Sequence, residues 1–150
     1  MYNKLNVLHW HISDDESFPL ELKSHPEITK AGSYSSNEIY SEADVKLIIE
    51  RATSNGIRVI PEVDSPGHVR SWGLSKETKA ITVNNCPGNE HYNSLLDPSL
   101  DQSYEVAKGI YSDIQDMFPD PWIHMGGDEV FTSCWDLRPH IKEFMKENKI

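Results

Sequence analysis

Hydrophobic and polar positions along the chain switch between two periods. Residues 5–12, LNVLHWHI, alternate as a strand does: Val7, His9 and His11 share one face, and Leu8, Trp10 and Ile12 share the other. Residues 57–63, IRVIPEV, repeat the pattern, with Ile60, Glu62 and Asp64 opposite Val59 and Val63. Pro61 is awkward in a central strand and predicts a bulge or an early end to pairing. Residues 122–126, WIHMG, predict a third short strand, whose face of Trp122, His124 and Gly126 extends to Asp128 if the chain stays extended. Between these runs the period becomes helical. Residues 42–55 predict a helix with Val45, Ile48, Ile49 and Ala52 in one stripe, a Ser41–Asp44 capping box and Gly56 as a stop. Residues 100–117 predict a second helix, capped by Ser99 and Gln102, with Ala107, Ile110, Ile114 and Met117 inward. Residues 139–148 predict a third, short one. The stretch 73–98 is long and polar and reads as a binding loop, a lid or a disordered segment.

Strands separated by helices favour a parallel sheet with right-handed crossovers, either open and doubly wound or closed into a barrel. No glycine-rich phosphate loop follows a strand, which weighs against the nucleotide-binding version. Each strand also has one stripe that turns polar toward its C-terminal end: His9 and His11, Glu62 and Asp64, His124 and Asp128. Such groups are costly to bury without partners. A β/α barrel gathers its active site at that end of its strands. The pattern therefore predicts an α/β fold with an acid/base site in a barrel.

Composition narrows the function. The 150 residues carry 14 basic and 24 acidic side chains, a net charge of -10. With no Lys/Arg cluster, this excludes a phosphate-backbone binder. No apolar run approaches the roughly 18 residues of a membrane-spanning helix. The N-terminus has no signal-peptide pattern and enters a strand almost at once. Residues 1–150 therefore read as one incomplete domain of a longer protein. Cys86 and Cys134 are either two thiols or one disulfide, and a disulfide would imply an oxidising compartment.

Three motifs carry candidate chemistry. In IHMGGDEV, Asp128 and Glu129 follow paired glycines that let backbone or ligand come close. An acidic pair at a helix N-terminus is the plainer alternative. In DSPGH, Asp64 precedes His68 by four residues across a tight turn, so the carboxylate can orient the imidazole. That segment also suits a turn with no further role. In HWHISDD, the His9–His11 pair could begin a zinc site completed by His68, His124 and Asp128. A hydrogen-bonded core histidine is the alternative. The four tryptophans read as core.

Taken in order, NKLNVLHWHISDD, GIRVIPEVDSPGH, the following WGL, and HMGGDEV with Cys134-Trp135 resemble the β-N-acetylhexosaminidases of glycoside hydrolase family 20, most closely the lysosomal enzymes. The resemblance implies a partial (β/α)8 TIM barrel, about the second to fourth βα units. It implies a retaining hydrolysis of terminal N-acetylhexosamine from β-linked glycoconjugates, in which the substrate's 2-acetamido oxygen is the nucleophile. By position it makes Glu129 the general acid/base and Asp128 its polarising partner, with Asp64 and His68 as a supporting pair. Asp14 helps build the sugar site, and His11 and Glu62 match neighbouring polar positions. Cys86 and Cys134 match a disulfide of the lysosomal relatives. No cofactor and no metal is implied; N-acetylhexosamine-terminated glycans are the partners, a homo- or heterodimer is compatible, and the location is lysosomal or secreted. The family's first-strand arginine has no counterpart here, and its acetamido-pocket tryptophans lie beyond Ile150. A catalytically inactive truncated barrel with weak sugar binding is the main alternative, and a metal-dependent hydrolase a further one.

Overall fold

A computed structural model describes residues 4–84 and 94–149. Two parallel strands, β1 (Val7–Ser13) and β2 (Arg58–Val63), form the sheet at its centre. Their register sets His9 beside Ile60 and His11 beside Glu62, with an irregularity between His11 and Ser13. The polar stripes of the two strands thus lie side by side, as the alternation predicts.

The third strand is reduced to one parallel bridge between Glu62 and His124. Pro61 supplies the reason. It accepts from His124 N at 2.9 Å but has no N–H to donate on that edge. Val63 N to His124 O (3.3 Å) and Ser65 N to Met125 O (3.1 Å) complete the contact. Pro61 does not end β2 early; it weakens the neighbouring segment instead. Beyond the bridge the chain stops being extended, because Gly126 has φ +67° and Gly127 φ +109°.

Helix α1 (Pro26–Gly32) was not foreseen from the sequence. Its seven residues are too few to show a period, and it depends on tertiary anchoring. Thr29 Oγ1 donates to Leu20 O (2.6 Å) and accepts from Leu22 N (3.1 Å). Helix α2 (Glu42–Thr53) starts at the expected capping box, and Gly56 at φ +70° follows its end. Helix α3 (Asp101–Met117) has the expected span but not the expected caps. Ser99 hydrogen-bonds Asp97 instead, and Gln102 reaches Glu77 O. Its inner face is also rotated to include Ser103, Val106 and Asp113 beside Ile110 and Ile114. Asp113 is tolerated there because one of its oxygens accepts from Lys23 N, Ser24 N and Ser24 Oγ.

The main core lies between the outer face of the two strands and the helices: Ile12, Val59 and Val63 against Phe18, Leu20, Ile28, Val45, Trp72, Ile110 and Ile114. Each fully buried aliphatic contributes about 1.5–3 kcal/mol. A second cluster joins Val83, Leu95, Cys134 and Ile141. It packs the short helices α4 (Ser133–Asp136) and α5 (Pro139–Asn148) onto a small antiparallel pair, β3 (Thr82–Val83) with β4 (Leu95–Leu96). These strands and a 3-10 turn at Lys79–Ile81 lie within the stretch 73–98 expected to be loop, and a second 3-10 turn, Arg70–Gly73, leads into it. Among the described residues, no helix is long and apolar enough to cross a membrane.

Candidate active site

The C-terminal end of β2 and the turn after His124 meet at one buried carboxylate. Asp64 is fully buried. Its Oδ1 accepts from Gly127 N at 2.8 Å, and its Oδ2 faces His68 Nδ1 at 2.6 Å. The imidazole's other nitrogen, Nε2, lies 3.2 Å from Glu129 Oε2. Asp128 lies beside them, with a carboxylate oxygen within 4.8 Å of Asp64 and His68. Asp64, His68, Asp128 and Glu129 thus form one group, drawn from DSPGH and GGDEV.

Backbone conformation makes this possible. His68 (φ +56°) and Glu129 (φ +48°) both adopt left-handed conformations, which non-glycine residues seldom do. Such conformations persist only where surrounding contacts hold them. On one side, Leu96 N donates to Pro66 O at 2.8 Å. On the other, Gly126 presses so closely on Asp64 that a Cβ there would stand 1.7 Å from Asp64 Oδ1.

Electrostatics follow from this packing. Desolvation alone would lower the His68 pKa, but the hydrogen bond to Asp64 and the charges of Asp14, Asp64 and Asp128 outweigh it and raise it to about 9. His68 is therefore an imidazolium at neutral pH, donating toward Asp64 and Glu129 together. Burial pushes the Asp64 carboxyl up; bonds from His68 and Gly127 oppose that, and Asp128 adds to it. The adjoining Asp64 carboxyl, with the charges of His68 and His11, holds the exposed Asp128 below the usual carboxylate range. A buried carboxylate, a charged imidazole and an exposed carboxylate in line can pass and stabilise a proton.

The remaining predicted residues form a second group beside the first. Glu62, only 6% exposed, contacts His9 Nε2, His11 Nδ1 (3.3 Å) and His124 Nδ1 (3.4 Å). His11 Nε2 reaches Asp14 Oδ2 at 3.0 Å. Desolvation lowers the His11 pKa, but Asp14 and Glu62 raise it by more. The metal-ligand set considered from the sequence is not assembled as one cluster. His9, Glu62 and His124 lie together, and Asp64, His68 and Asp128 lie together, each set within 4.8 Å. Cys86 lies outside the described residues; Cys134 is buried in the second core cluster.

Two contributors escaped the sequence reading. Tyr111 on α3 donates to Val63 O (3.0 Å) and meets Ser65 Oγ (2.8 Å), bracing the end of β2. A tyrosine one turn from the apolar stripe was the available signal, since buried hydroxyls need partners. Asp15 accepts from Arg70 N at 2.9 Å and ties the end of β1 to the turn after His68. Burial pushes its carboxyl up against that bond and others.

A parallel β/α layer with an acid/base constellation at its strand ends is the architecture of a β/α-barrel hydrolase. The sequence profile described as glycosyl hydrolase family 20, catalytic domain, matches residues 1–150. The chain belongs to that family. It is similar to beta-hexosaminidase subunit beta of Mus musculus, 42% identical over 145 residues, covering 97% of this chain and 27% of the relative. It is similar also to beta-hexosaminidase subunit alpha of Bos taurus, 43% identical over 150 residues, with 97% and 28% covered. Among solved structures, it matches the exo beta-N-acetylglucosaminidase of Vibrio harveyi in complex with N-acetylglucosamine at TM-score 0.81 and 30% identity, covering 97% of this chain and 26% of that one. The chitobiase of Flavobacterium johnsoniae matches at TM-score 0.82 and 29% identity, with 96% and 22% covered. The chain spans about a quarter of the length of these relatives, and its fold is part of a TIM barrel.

Proposed function

We propose that this chain supplies the acid/base half of a retaining β-N-acetylhexosaminidase acting on terminal non-reducing GlcNAc or GalNAc of β-linked glycoconjugates. What supports this most is the Asp64–His68–Glu129 line with Asp128 beside it. Retaining glycosidases ordinarily need two carboxyls about 5–5.5 Å apart across the sugar. Here the exposed carboxylates are neighbours in sequence, which suits an enzyme whose nucleophile arrives with the substrate.

Glu129 protonates the leaving glycosidic oxygen. The substrate's acetamido oxygen attacks the anomeric carbon, the glycosidic bond breaks, and an oxazolinium ion forms. Asp128 accepts a hydrogen bond from the acetamido N–H and stabilises the positive charge. Glu129, now a carboxylate, is stabilised by His68 through Nε2. It then takes a proton from water, which attacks the anomeric carbon with net retention. Intramolecular attack gains from proximity. Asp14, with His11 and Glu62 behind it, holds the sugar. The supporting features proposed with this reading are a Cys86–Cys134 disulfide, a lysosomal or secreted location, and dimeric assembly. The last is suggested by the alpha and beta subunit names of the relatives.

The test is an assay of the intact protein on an aryl N-acetyl-β-glucosaminide and the matching β-glucoside. Activity is expected on the first only, and Glu129→Gln should lower kcat by about 100- to 10,000-fold. Comparable turnover of the plain glucoside would refute the substrate-assisted scheme. The 150-residue chain by itself is expected to be inactive, because the strand face carrying Val7, His9 and His11 is left open to solvent. Assaying it beside the intact protein tests that.

A further inference from the structure

We propose that Glu62 is a positioning residue that locks the sugar-holding Asp14 and the Gly126–Glu129 turn into one geometry. This rests on the hexosaminidase reading above. A buried carboxylate is retained only where its surroundings compensate its charge. Glu62 is compensated by two imidazoles of β1, His9 and His11, and faces a third, His124 on the bridge segment.

Two of those rings have a second attachment, and each leads to the site. His11 uses its far nitrogen, Nε2, to hold Asp14 Oδ2 at 3.0 Å. His124 Nδ1 accepts from Gly126 N at 3.1 Å, and Gly126 opens the turn that delivers Asp128 and Glu129. One carboxylate therefore anchors the ring that aims Asp14 directly, and it anchors the ring that fixes the start of the acid/base turn through His9, whose ring packs on that of His124. A core ion pair without this role would need no such outward contacts.

His124 Nδ1 accepts from Gly126, so it carries no proton to give Glu62 Oε1 at 3.4 Å. His11 and His9 must supply the hydrogen bonds. The ring of His124 is steadied by its neighbour, the His9 ring, with centroids 4.8 Å apart.

The experiment uses the intact protein with Glu62→Gln, alone and combined with Asp14→Asn. A merely structural defect lowers the amount of active enzyme, so kcat falls at unchanged KM. A positioning defect moves KM as well. The expected result is a higher KM and a kcat/KM reduced by about tenfold to 100-fold, the upper figure being what a misplacement of about 1 Å costs. In the Asp14→Asn background the effect of Glu62→Gln should shrink severalfold, because part of it is already lost. His11→Asn, at a half-exposed position, leaves Glu62 its bond from His9 and should raise KM in the same direction even if Glu62→Gln folds poorly. An unchanged KM, or a full-sized effect of Glu62→Gln in the Asp14→Asn background, overturns the proposal. Zinc retained at one equivalent by the intact protein and lost in Glu62→Gln also overturns it, since the cluster would then be a metal site. If the unsubstituted intact protein fails to hydrolyse the aryl substrate, the hexosaminidase reading itself falls.

Discussion

His68 should make this protein lose stability as the solution becomes basic. Its folded-state pKa of about 9 stands above the ordinary 6.5. The folded state therefore binds the proton more tightly than the unfolded chain does. The resulting stability is fully present below 6.5 and is lost as pH rises through 9. At about 1.4 kcal/mol per tenfold change in proton affinity, the difference is on the order of 3 kcal/mol. His68 is only 8% exposed, so solvent screening does little to dilute that figure. The groups that set it are Asp64, Asp14 and Asp128, with Glu129 at Nε2. The assay is denaturant unfolding of the intact protein from about pH 6 to about pH 9.5, for the unsubstituted protein and for His68→Gln. Histidine NMR supplies the midpoint directly. Asp64→Asn should pull that midpoint down, because it removes both the strongest hydrogen bond and an adjacent charge. A His68 midpoint near 6.5, or parallel stability curves for the two proteins, would refute the reasoning.

Gly126→Ala should be severe, because its Cβ would stand 1.7 Å from Asp64 Oδ1. A left-handed alanine costs about 1–2 kcal/mol, and losing the charged Gly127–Asp64 bond about 1.5–3 more. Activity should fall on the order of 100-fold as His68 loses its orientation. Gly127→Ala meets nothing within 4 Å, so only backbone cost applies, about 1–3 kcal/mol; equal kinetic losses for the two variants would contradict this assignment. Tyr111→Phe removes one hydroxyl with two partners and should destabilise by about 1–3 kcal/mol, measured by denaturant unfolding. A change below about 0.5 kcal/mol would mean that the hydroxyl does not brace β2.

What was legible in the sequence follows how local each feature is. The polar stripes of β1 and β2 could be read because alternation alone decides which face a side chain takes, and register then brings His11 to Glu62. Helix α2 was legible to its caps, since its signals lie within one turn of its ends. Helix α3 was legible in span but not in capping, because Asp97 captures Ser99 and the Glu77 carbonyl captures Gln102. Helix α1 and the β3–β4 pair were invisible: they are short and held by partners outside their own turns, as Thr29 with Leu20 and Trp135 Nε1 with Leu96 show. The site itself divides the same way. Residue types marked Asp64, His68, Asp128 and Glu129, and the family resemblance gave them roles. How Asp128 and Glu129 part company depends on three left-handed or positive-φ residues around Asp128, namely Gly126, Gly127 and Glu129. Strand alternation carried through would have put Asp128 on the His124 face and Glu129 on the opposite one. Instead Asp128 turns to Asp64 while Glu129 meets His68, so two adjacent carboxylates are tied to one buried pair. That shared tie lets neighbours in sequence face different partners, which their adjacency alone does not reveal.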